Sequence, residues 1–171
     1  MQARGVISSD NLVMDGVDSS SCKASGATFT YNQGVILGGL VEMYRATNDA
    51  SYLDAAARIA DAVTKSGSKM QDSQGLLADG CDKDKSCGGN DDGTQFKGVF
   101  MRNLKKLYAV RPSSQWKAFI ERNAQSIWDK DTSVQNGCFN GPLWGGPYKT
   151  ATASAQSCAL DALNAAIAVT K

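Results

Sequence analysis

The chain has 171 residues, and 18 lysines and arginines against 17 aspartates and glutamates give a formal net charge of +1. This length suffices for one domain over residues 1–171 with its own core, and the balanced charge argues against partners such as nucleic acid or an anionic membrane. The sequence contains no histidine, which excludes a Ser-His-Asp triad, a Cys-His dyad and a histidine-ligated zinc site.

The first predicted helical hairpin follows an irregular segment at residues 5–30. Its first helix is expected at about residues 32–46, with Thr28 or Thr30 as the candidate N-cap, and it is apolar on nearly every side. Its second helix, at about residues 52–65, is apolar on one face and charged on the other. This one-sided pattern predicts that the second helix lies outside the first.

A second hairpin is predicted after a long loop at about residues 66–93. The third helix, at about residues 94–110, again starts with polar residues and then becomes mostly apolar. The fourth helix is capped by Ser113 or Ser114 and extends to Trp128, with one apolar face. The second hairpin therefore repeats the first, an apolar helix followed by an amphipathic one.

A fifth, alanine-rich helix is predicted at about residues 153–169, after a loop rich in glycine and proline at residues 136–148. Alternating apolar and amphipathic helices, with hairpins about sixty residues apart, predict an all-α fold that is part of an α/α toroid. An ordinary five-helix bundle is the alternative. We favour the toroid because a bundle does not need three helices that are apolar on nearly every side.

The five cysteines form an odd set: Cys22, Cys81, Cys87, Cys138 and Cys158. Cys81 and Cys87 enclose a polar loop of five residues, a spacing that favours a local disulfide over a metal knuckle. Cys138 is a candidate partner for Cys158, which lies near it across the last loop, and Cys22 is then left over. Free thiols in a cytosolic protein are the alternative.

Targeting features are absent from the sequence as given. No apolar run is long enough to span a membrane, and the first four residues do not begin a signal peptide. If the protein is secreted, we expect its targeting signal to lie upstream of this chain.

Two of the apolar helices begin with clusters of hydrogen-bonding side chains, Tyr31, Asn32 and Gln33 in one and Phe96 and Lys97 in the other. A buried helix with a polar first turn needs a partner or solvent there, so we expect both N-termini to meet at one polar cavity. The amides, the phenol and the ammonium of these clusters can hydrogen-bond to a sugar, and they do not make up a set of metal ligands. We therefore expect a sugar ligand and no cofactor. Helix capping is the alternative, although a cap needs only one polar residue.

These motifs resemble those of glycoside hydrolase family 76, the α-1,6-mannanases and their fungal cell-wall relatives. The resemblance extends from about residue 12 to the end of the chain. The matching stretches are MDGV (14–17), TYNQGVILGGL (30–40), EMYRAT (42–47), YL (52–53), IADA (59–62), QFKGVFMRNL (95–104), NAQSIW (123–128) and QSCALDAL (156–163).

The resemblance implies a six-hairpin (α/α)6 toroid acting on α-1,6-mannan by hydrolysis or glycan transfer, in a secreted or cell-wall setting. A retaining glycosidase needs two carboxyl groups, and in this family they are a consecutive Asp-Asp pair on an early inner helix, flanked by aromatic residues. The two and a half hairpins of this chain match the C-terminal half of the toroid. The catalytic segment therefore has no counterpart here, and we assign no catalytic residue.

Further candidates each have a structural alternative. Asp91 and Asp92 lie in a glycine-rich loop without an aromatic platform, and we interpret them as solvated loop carboxylates. Asp15, in an Asp-Gly turn, either contacts a sugar hydroxyl or forms the turn. Trp144 either stacks on a sugar or anchors its loop.

Three functions remain open at this point. The chain is a fragment of a mannan-active glycosidase or transglycosidase, a non-catalytic glycan-binding remnant, or a helical interaction module without a ligand. A half-toroid leaves two open flanks, at the first and fifth helices, and both are apolar. We therefore expect the isolated chain to associate or aggregate.

Overall fold

The computed structural model describes residues 5–88 and 91–170, which are predominantly helical. The helices of this part of the chain are α1 (Thr30–Thr47), α2 (Ser51–Thr64), α3 (Gly80–Lys83), α4 (Gly93–Val110), α5 (Ser114–Lys130) and α6 (Ala153–Thr170). Its strands are β1 (Gly16–Val17), β2 (Ala24–Ser25), β3 (Thr132–Ser133) and β4 (Phe139–Asn140). Two antiparallel hairpins result, because β1 pairs with β2 and β3 pairs with β4.

The five predicted long helices are all present, with ends within about two residues of the expected positions. The sequence did not predict α3 or the strands, since elements of two to four residues are too short to show a hydrophobic period. Asp79 and Asp82 stabilise α3 instead, because the Asp82 side chain accepts a hydrogen bond from the Asp79 backbone N–H at 2.9 Å.

The helices form two layers. The inner layer is a row in which α4 packs between α1 and α6, and the outer layer consists of α2 on α1 and α5 on α6. The main core lies between the layers and is built from apolar residues such as Leu37, Ile59, Phe100, Leu104 and Ile120. This arrangement is the alternation of inner and outer helices that the sequence predicts.

Glycines allow the inner helices to approach each other closely. A Cβ atom at Gly34 of α1 would lie 2.5 Å from the Cα of Phe100 on α4. A Cβ atom at Gly98 of α4 would lie 2.9 Å from the Cα of Cys158 on α6. Both distances are shorter than real Cβ contacts, so each helix pair in the row depends on a glycine.

The structure contains one of the two expected disulfides, between Cys81 and Cys87. The expected bond between Cys138 and Cys158 is wrong. Cys158 is buried against α4, where its sulfur accepts a hydrogen bond from the Gly98 N–H at 3.1 Å, while Cys138 is exposed in the turn between β3 and β4. Within the described residues, Cys22, Cys138 and Cys158 are free thiols.

A membrane-spanning helix was not expected from the sequence. Across residues 5–88 and 91–170, every helix is too short or too polar to cross a bilayer.

Candidate functional site

The N-terminal turns of α1 and α4 lie side by side and bring three aromatic rings together. The ring centroids of Tyr31 and Phe96 are 4.5 Å apart, and Phe29 lies 5.3 Å from Phe96 and 6.0 Å from Tyr31. Such distances are typical of favourable aromatic contacts. The predicted meeting of the two helix starts is therefore present.

An open cleft of about 390 Å³ lies beside these rings. We call it the aromatic cleft, and its lining residues are Tyr31, Val35, Asp92, Gln95, Phe96 and Val99. Apolar walls combined with a few polar side chains are typical of small-molecule sites.

Asp15 and Asn32 form a hydrogen-bonded cluster with Tyr31 at the edge of the aromatic cleft. The Tyr31 hydroxyl donates to the Asp15 carboxylate, and the Asn32 Nδ2 donates to the same oxygen at 3.0 Å. The bond from Tyr31, and then that from Asn32, hold the pKa of Asp15 below its usual range. The same bond raises the pKa of Tyr31. Asp15 is therefore ionised at neutral pH.

Gln33, the third polar residue predicted to line the site, is fully buried and holds the chain preceding α1. Its Oε1 accepts a hydrogen bond from the Val13 N–H at 2.7 Å. Its Nε2 donates to the Val13 and Phe29 carbonyl oxygens at 2.9 and 3.0 Å. This side chain has no surface to offer a glycan, so the prediction for Gln33 is corrected to a structural role.

Lys97 is also buried, in contrast to the prediction that it faces a glycan. Its ammonium forms an ion pair with Asp82 of α3 and donates a hydrogen bond to the Pro142 carbonyl oxygen at 2.9 Å. The nitrogen also lies 4.8 Å from the ring centroid of Trp144, within cation–π distance. Lys97 therefore anchors α4 and holds the neighbouring Phe96 at the cleft.

Thr30 connects α1 to the same buried network. Its backbone N–H and its hydroxyl donate to the two oxygens of Asp79, at 2.8 and 2.6 Å. Burial raises the pKa of the Asp79 carboxyl, although both bonds from Thr30 oppose that shift. We call Thr30, Asp79, Asp82 and Lys97 the buried network; none of its residues lines the aromatic cleft.

Asp131, at the end of α5, is fully buried, and its two carboxylate oxygens have no hydrogen-bond partner within the described residues. A Cβ atom at Gly141 would lie only 2.3 Å from one of these oxygens, so the loop before α6 presses directly against the carboxyl. Burial raises the pKa of Asp131 to about 8, and the charge on Lys97 offsets this only in part. The group is therefore mostly protonated at neutral pH.

The two consecutive aspartates have different surroundings. Asp91 accepts hydrogen bonds from the Thr94 N–H and hydroxyl, both at 3.0 Å, which caps the start of α4. Asp92 is exposed and lines the aromatic cleft beside Tyr31 and Phe96. An aromatic platform thus accompanies Asp92, contrary to the expectation from sequence.

Several residues of the site were missed by sequence reasoning. Phe29 belongs to the cluster of aromatic rings. Its position two residues before Tyr31 was the signal in the sequence that could have identified it. Asp79 and Asp82 hold the helix starts from a segment that the sequence predicted as loop. Trp144 is almost fully buried, so it anchors its loop, the second of the two roles considered.

The whole chain, residues 1–171, matches the model of glycosyl hydrolase family 76. The chain therefore belongs to this family, as its motifs predicted. No protein of curated function matches it by sequence.

Solved structures confirm the fold. The α-1,6-mannanase of Salegentibacter sp. HEL1_6 superimposes with a TM-score of 0.76 at 23% identity, covering 92% of this chain and 46% of that protein. Dfg5 of Chaetomium thermophilum, solved with glucosamine, gives a TM-score of 0.78 at 16% identity, covering 99% of this chain and 43% of that protein. The chain is thus part of an (α/α)6 toroid and spans less than half the length of these proteins.

A third structure is an inactive variant of the Salegentibacter enzyme in complex with α-1,6-mannotetrose. Two consecutive aspartates of that enzyme are replaced by alanine. This variant has a TM-score of 0.75 at 24% identity and covers 92% of this chain and 46% of its own.

Proposed function

We propose that this chain supplies part of a mannan-binding site, through the aromatic cleft, and that it does not hydrolyse mannan by itself. The observation that carries the proposal is the meeting of the α1 and α4 N-termini around Tyr31 and Phe96 in a chain of family 76. Glycan binding by a non-catalytic chain combines the first two functions left open by the sequence.

The chemistry of the aromatic cleft suits a neutral sugar. A pyranose has C–H groups on its face, which pack on aromatic rings, and hydroxyls at its edge, which need hydrogen-bond partners. Tyr31 and Phe96 offer the rings, and the exposed Gln95 and the ionised Asp15 offer polar groups nearby. The choice of α-1,6-mannan rests on the family and on the mannotetrose held by the Salegentibacter variant.

The absence of hydrolysis follows from the carboxylates. A retaining mechanism needs one carboxylate as nucleophile and a second carboxyl group that donates a proton to the leaving group. Asp91 is engaged in capping α4, and the pKa of Asp15 is lowered, which makes it a poor proton donor. Asp92 alone cannot fill both roles. We infer that the catalytic pair belongs to a part of the toroid outside this chain, and that this chain is the C-terminal half.

Incubating the purified chain with α-1,6-mannan and analysing the products by chromatography tests this inference. We expect no release of oligosaccharides above the rate without protein. Turnover that disappears in Asp92→Ala but persists in Asp129→Ala, an exposed aspartate on α5, would contradict it.

Binding is tested separately by isothermal titration with α-1,6-mannotetraose. We expect Tyr31→Ala and Phe96→Ala to weaken binding about tenfold or more, since a stacked ring contributes on the order of 1 kcal/mol beyond area burial. Phe139→Ala removes another exposed ring, on β4, and should leave the affinity unchanged. No binding by the unaltered chain, or equal weakening by all three variants, would refute the glycan proposal.

An extracellular or cell-wall location is part of the same proposal. The Cys81–Cys87 disulfide supports it, because disulfides persist in oxidising compartments and are rare in the cytosol.

A further inference from the structure

The Cys81–Cys87 disulfide lies against the buried network. Both sulfur atoms lie within 4.8 Å of a carboxylate oxygen of Asp82, the residue that forms the buried ion pair with Lys97. The side chains of Asp82 and Lys97 are only 7% and 2% exposed. Because the sulfur atoms are in contact with this ion pair, any movement of the disulfide acts directly on it.

The disulfide also lies close to the start of α4. A Cβ atom at Gly93, the first residue of that helix, would lie 3.6 Å from the sulfur of Cys81, which is a van der Waals distance. Asp92, which lines the aromatic cleft, directly precedes Gly93. The disulfide is therefore adjacent to the helix start that carries Phe96.

The segment that the disulfide closes is too short to be stable by itself. The helix α3 has four residues, whereas isolated helices shorter than about 12 residues are marginal in water. Its position therefore depends on tertiary contacts and on the covalent bond between two cysteines six residues apart. Since that bond removes loop-closure entropy, breaking it raises the equilibrium constant for local opening of the segment about fortyfold.

The α3 segment holds both rings of the aromatic cleft through their neighbours in sequence. Asp79, the N-cap of α3, accepts hydrogen bonds from the backbone N–H and the hydroxyl of Thr30, the residue before Tyr31. The ion pair of α3 involves the residue directly after Phe96. Opening of α3 therefore releases the two helix starts whose ring centroids lie 4.5 Å apart.

We propose that the Cys81–Cys87 disulfide positions the rings of Tyr31 and Phe96, and that its reduction weakens glycan binding at the aromatic cleft. The effect on binding rests on the function proposed above. When α3 is open the rings are no longer held together, so the apparent affinity falls with the fraction of chains that are competent to bind. The chain therefore binds glycan fully only in an oxidising compartment, where the disulfide persists.

The reduction is a thiol–disulfide exchange with a dithiol, for which dithiothreitol is the probe. Cys81 is partly exposed and Cys87 is buried, so a thiolate of the reagent attacks the Cys81 sulfur. The bond between the two cysteines breaks, and the Cys87 sulfur leaves as a thiolate that takes up a proton. The second thiol of the reagent then displaces Cys81 as a thiol. The reagent becomes a cyclic disulfide, and two electrons and two protons have passed to the protein.

The position of the rings is tested first, by a measurement that needs no glycan. Ring protons of Tyr31 and Phe96 should show a strong nuclear Overhauser effect in the oxidised chain, because the rings are in contact. We expect reduction with excess dithiothreitol to at least halve this effect. Alkylation and mass spectrometry confirm that Cys81 and Cys87 are reduced. An unchanged Overhauser effect, or a bond that resists reduction in the folded chain, overturns the proposal.

Isothermal titration with α-1,6-mannotetraose then measures the effect on binding. We expect reduction to raise the dissociation constant at least threefold, with about fortyfold as the upper limit set by loop opening. Reoxidation with oxidised glutathione should restore the original value. An unaltered affinity of the reduced chain overturns the proposal. If the oxidised chain does not bind the glycan at all, the proposed function fails, and the Overhauser effect alone decides the role of the disulfide.

Matched variants separate this disulfide from the free thiols. Cys81→Ser/Cys87→Ser should bind as weakly as the reduced chain and should not respond to dithiothreitol. Cys22→Ser/Cys138→Ser removes two exposed free thiols and should keep the full response. Loss of the response in this second variant overturns the proposal. If the first variant fails to fold, reversible reduction of the unaltered chain decides.

A bond that only stabilises the fold gives a different result. Its reduction would lower the melting temperature but would leave the Tyr31–Phe96 Overhauser effect and the affinity unchanged at room temperature, where the chain is still folded. That combination also overturns the proposal.

Discussion

The two sides of the α1 and α4 helix starts differ although their residues are neighbours in sequence. Tyr31, Asn32 and Phe96 lie partly exposed around the aromatic cleft, while Thr30 and Lys97 are fully buried in a network with aspartates of the α3 segment. Polar residues at a helix start thus serve two purposes at once. One side can meet a ligand, and the other holds the two helices in register beneath it.

Substitutions in the buried network should have the largest effect on the stability of the fold. Lys97→Met leaves Asp82 buried without its cation, and breaking one partner of a buried pair costs about 3–5 kcal/mol. Since a whole domain is stable by about 5–15 kcal/mol, we expect near-complete loss of folding in urea titrations at room temperature. Lys69→Met removes the exposed pair with Asp10 and should cost less than about 1 kcal/mol. Equal effects of the two substitutions would contradict the expected difference between the buried and the exposed ion pair.

The pH dependence of stability should separate the buried carboxyls from the exposed ones. The pKa of Asp131 is raised to about 8 in the folded protein, so folding favours its protonated form. Its contribution is fully present below the unfolded value of 3.8 and is lost as pH rises towards 8.

We therefore expect the free energy of unfolding to fall by on the order of a few kcal/mol between pH 5 and 8. Asp131→Asn should flatten this decline, whereas Asp129→Asn, on the exposed surface of α5, should not. Urea titrations at both pH values measure the change. A decline that persists unchanged in Asp131→Asn would show that another group causes it.

Substitutions that disturb the close approach of α1 and α4 should have the next largest effect on stability. Gly34→Ala forces the Phe100 backbone away, and overpacking of this kind costs about 1–3 kcal/mol. Gly80→Ala, at the exposed start of α3 with nothing within 4 Å of the added atom, is the matched control and should be nearly neutral. Thermal unfolding measures both. Tolerance of Gly34→Ala would mean that the inner helices are less tightly packed than described.

The smallest effect on stability should come from substitutions on the exposed side of the α1 and α4 helix starts. Tyr31→Phe removes the hydroxyl that donates to Asp15, so the pKa of Asp15 should rise towards 3.8 with little change in stability. Carbon-detected NMR titration of the carboxyl groups follows this change. Asp18, whose pKa is lowered to about 2 by Ser20 and Ser21, should titrate as before. An unaltered pKa of Asp15 would argue against its bond with Tyr31.

The sequence predicted the long helices, their division into inner and outer layers and the family, because these depend on hydrophobic period and on extended motifs. It could not separate Tyr31 from Gln33, or Phe96 from Lys97. Both members of each pair are near a helix start, and which one is buried depends on segments far away in sequence. Gln33 is buried because it bonds to Val13, and Lys97 is buried because it pairs with Asp82. The positions of Val13 and Asp82 follow from tertiary packing.

The cysteines show the same division between local and distant information. The Cys81–Cys87 bond spans six residues and was predictable from spacing. The expected Cys138–Cys158 bond was wrong, because proximity along the chain does not reveal that Cys158 points at Gly98 on another helix.

The unequal exposure of the free thiols makes the molecule selectively labelable. Burial raises the pKa of Cys158 to about 12, so it should resist maleimide reagents at neutral pH. Cys22 and Cys138 are exposed, in the turns that precede α1 and α6, the two ends of the inner row. A donor and an acceptor dye on these two cysteines would report by energy transfer the distance between the two ends of the inner row in solution. No new cysteine has to be introduced.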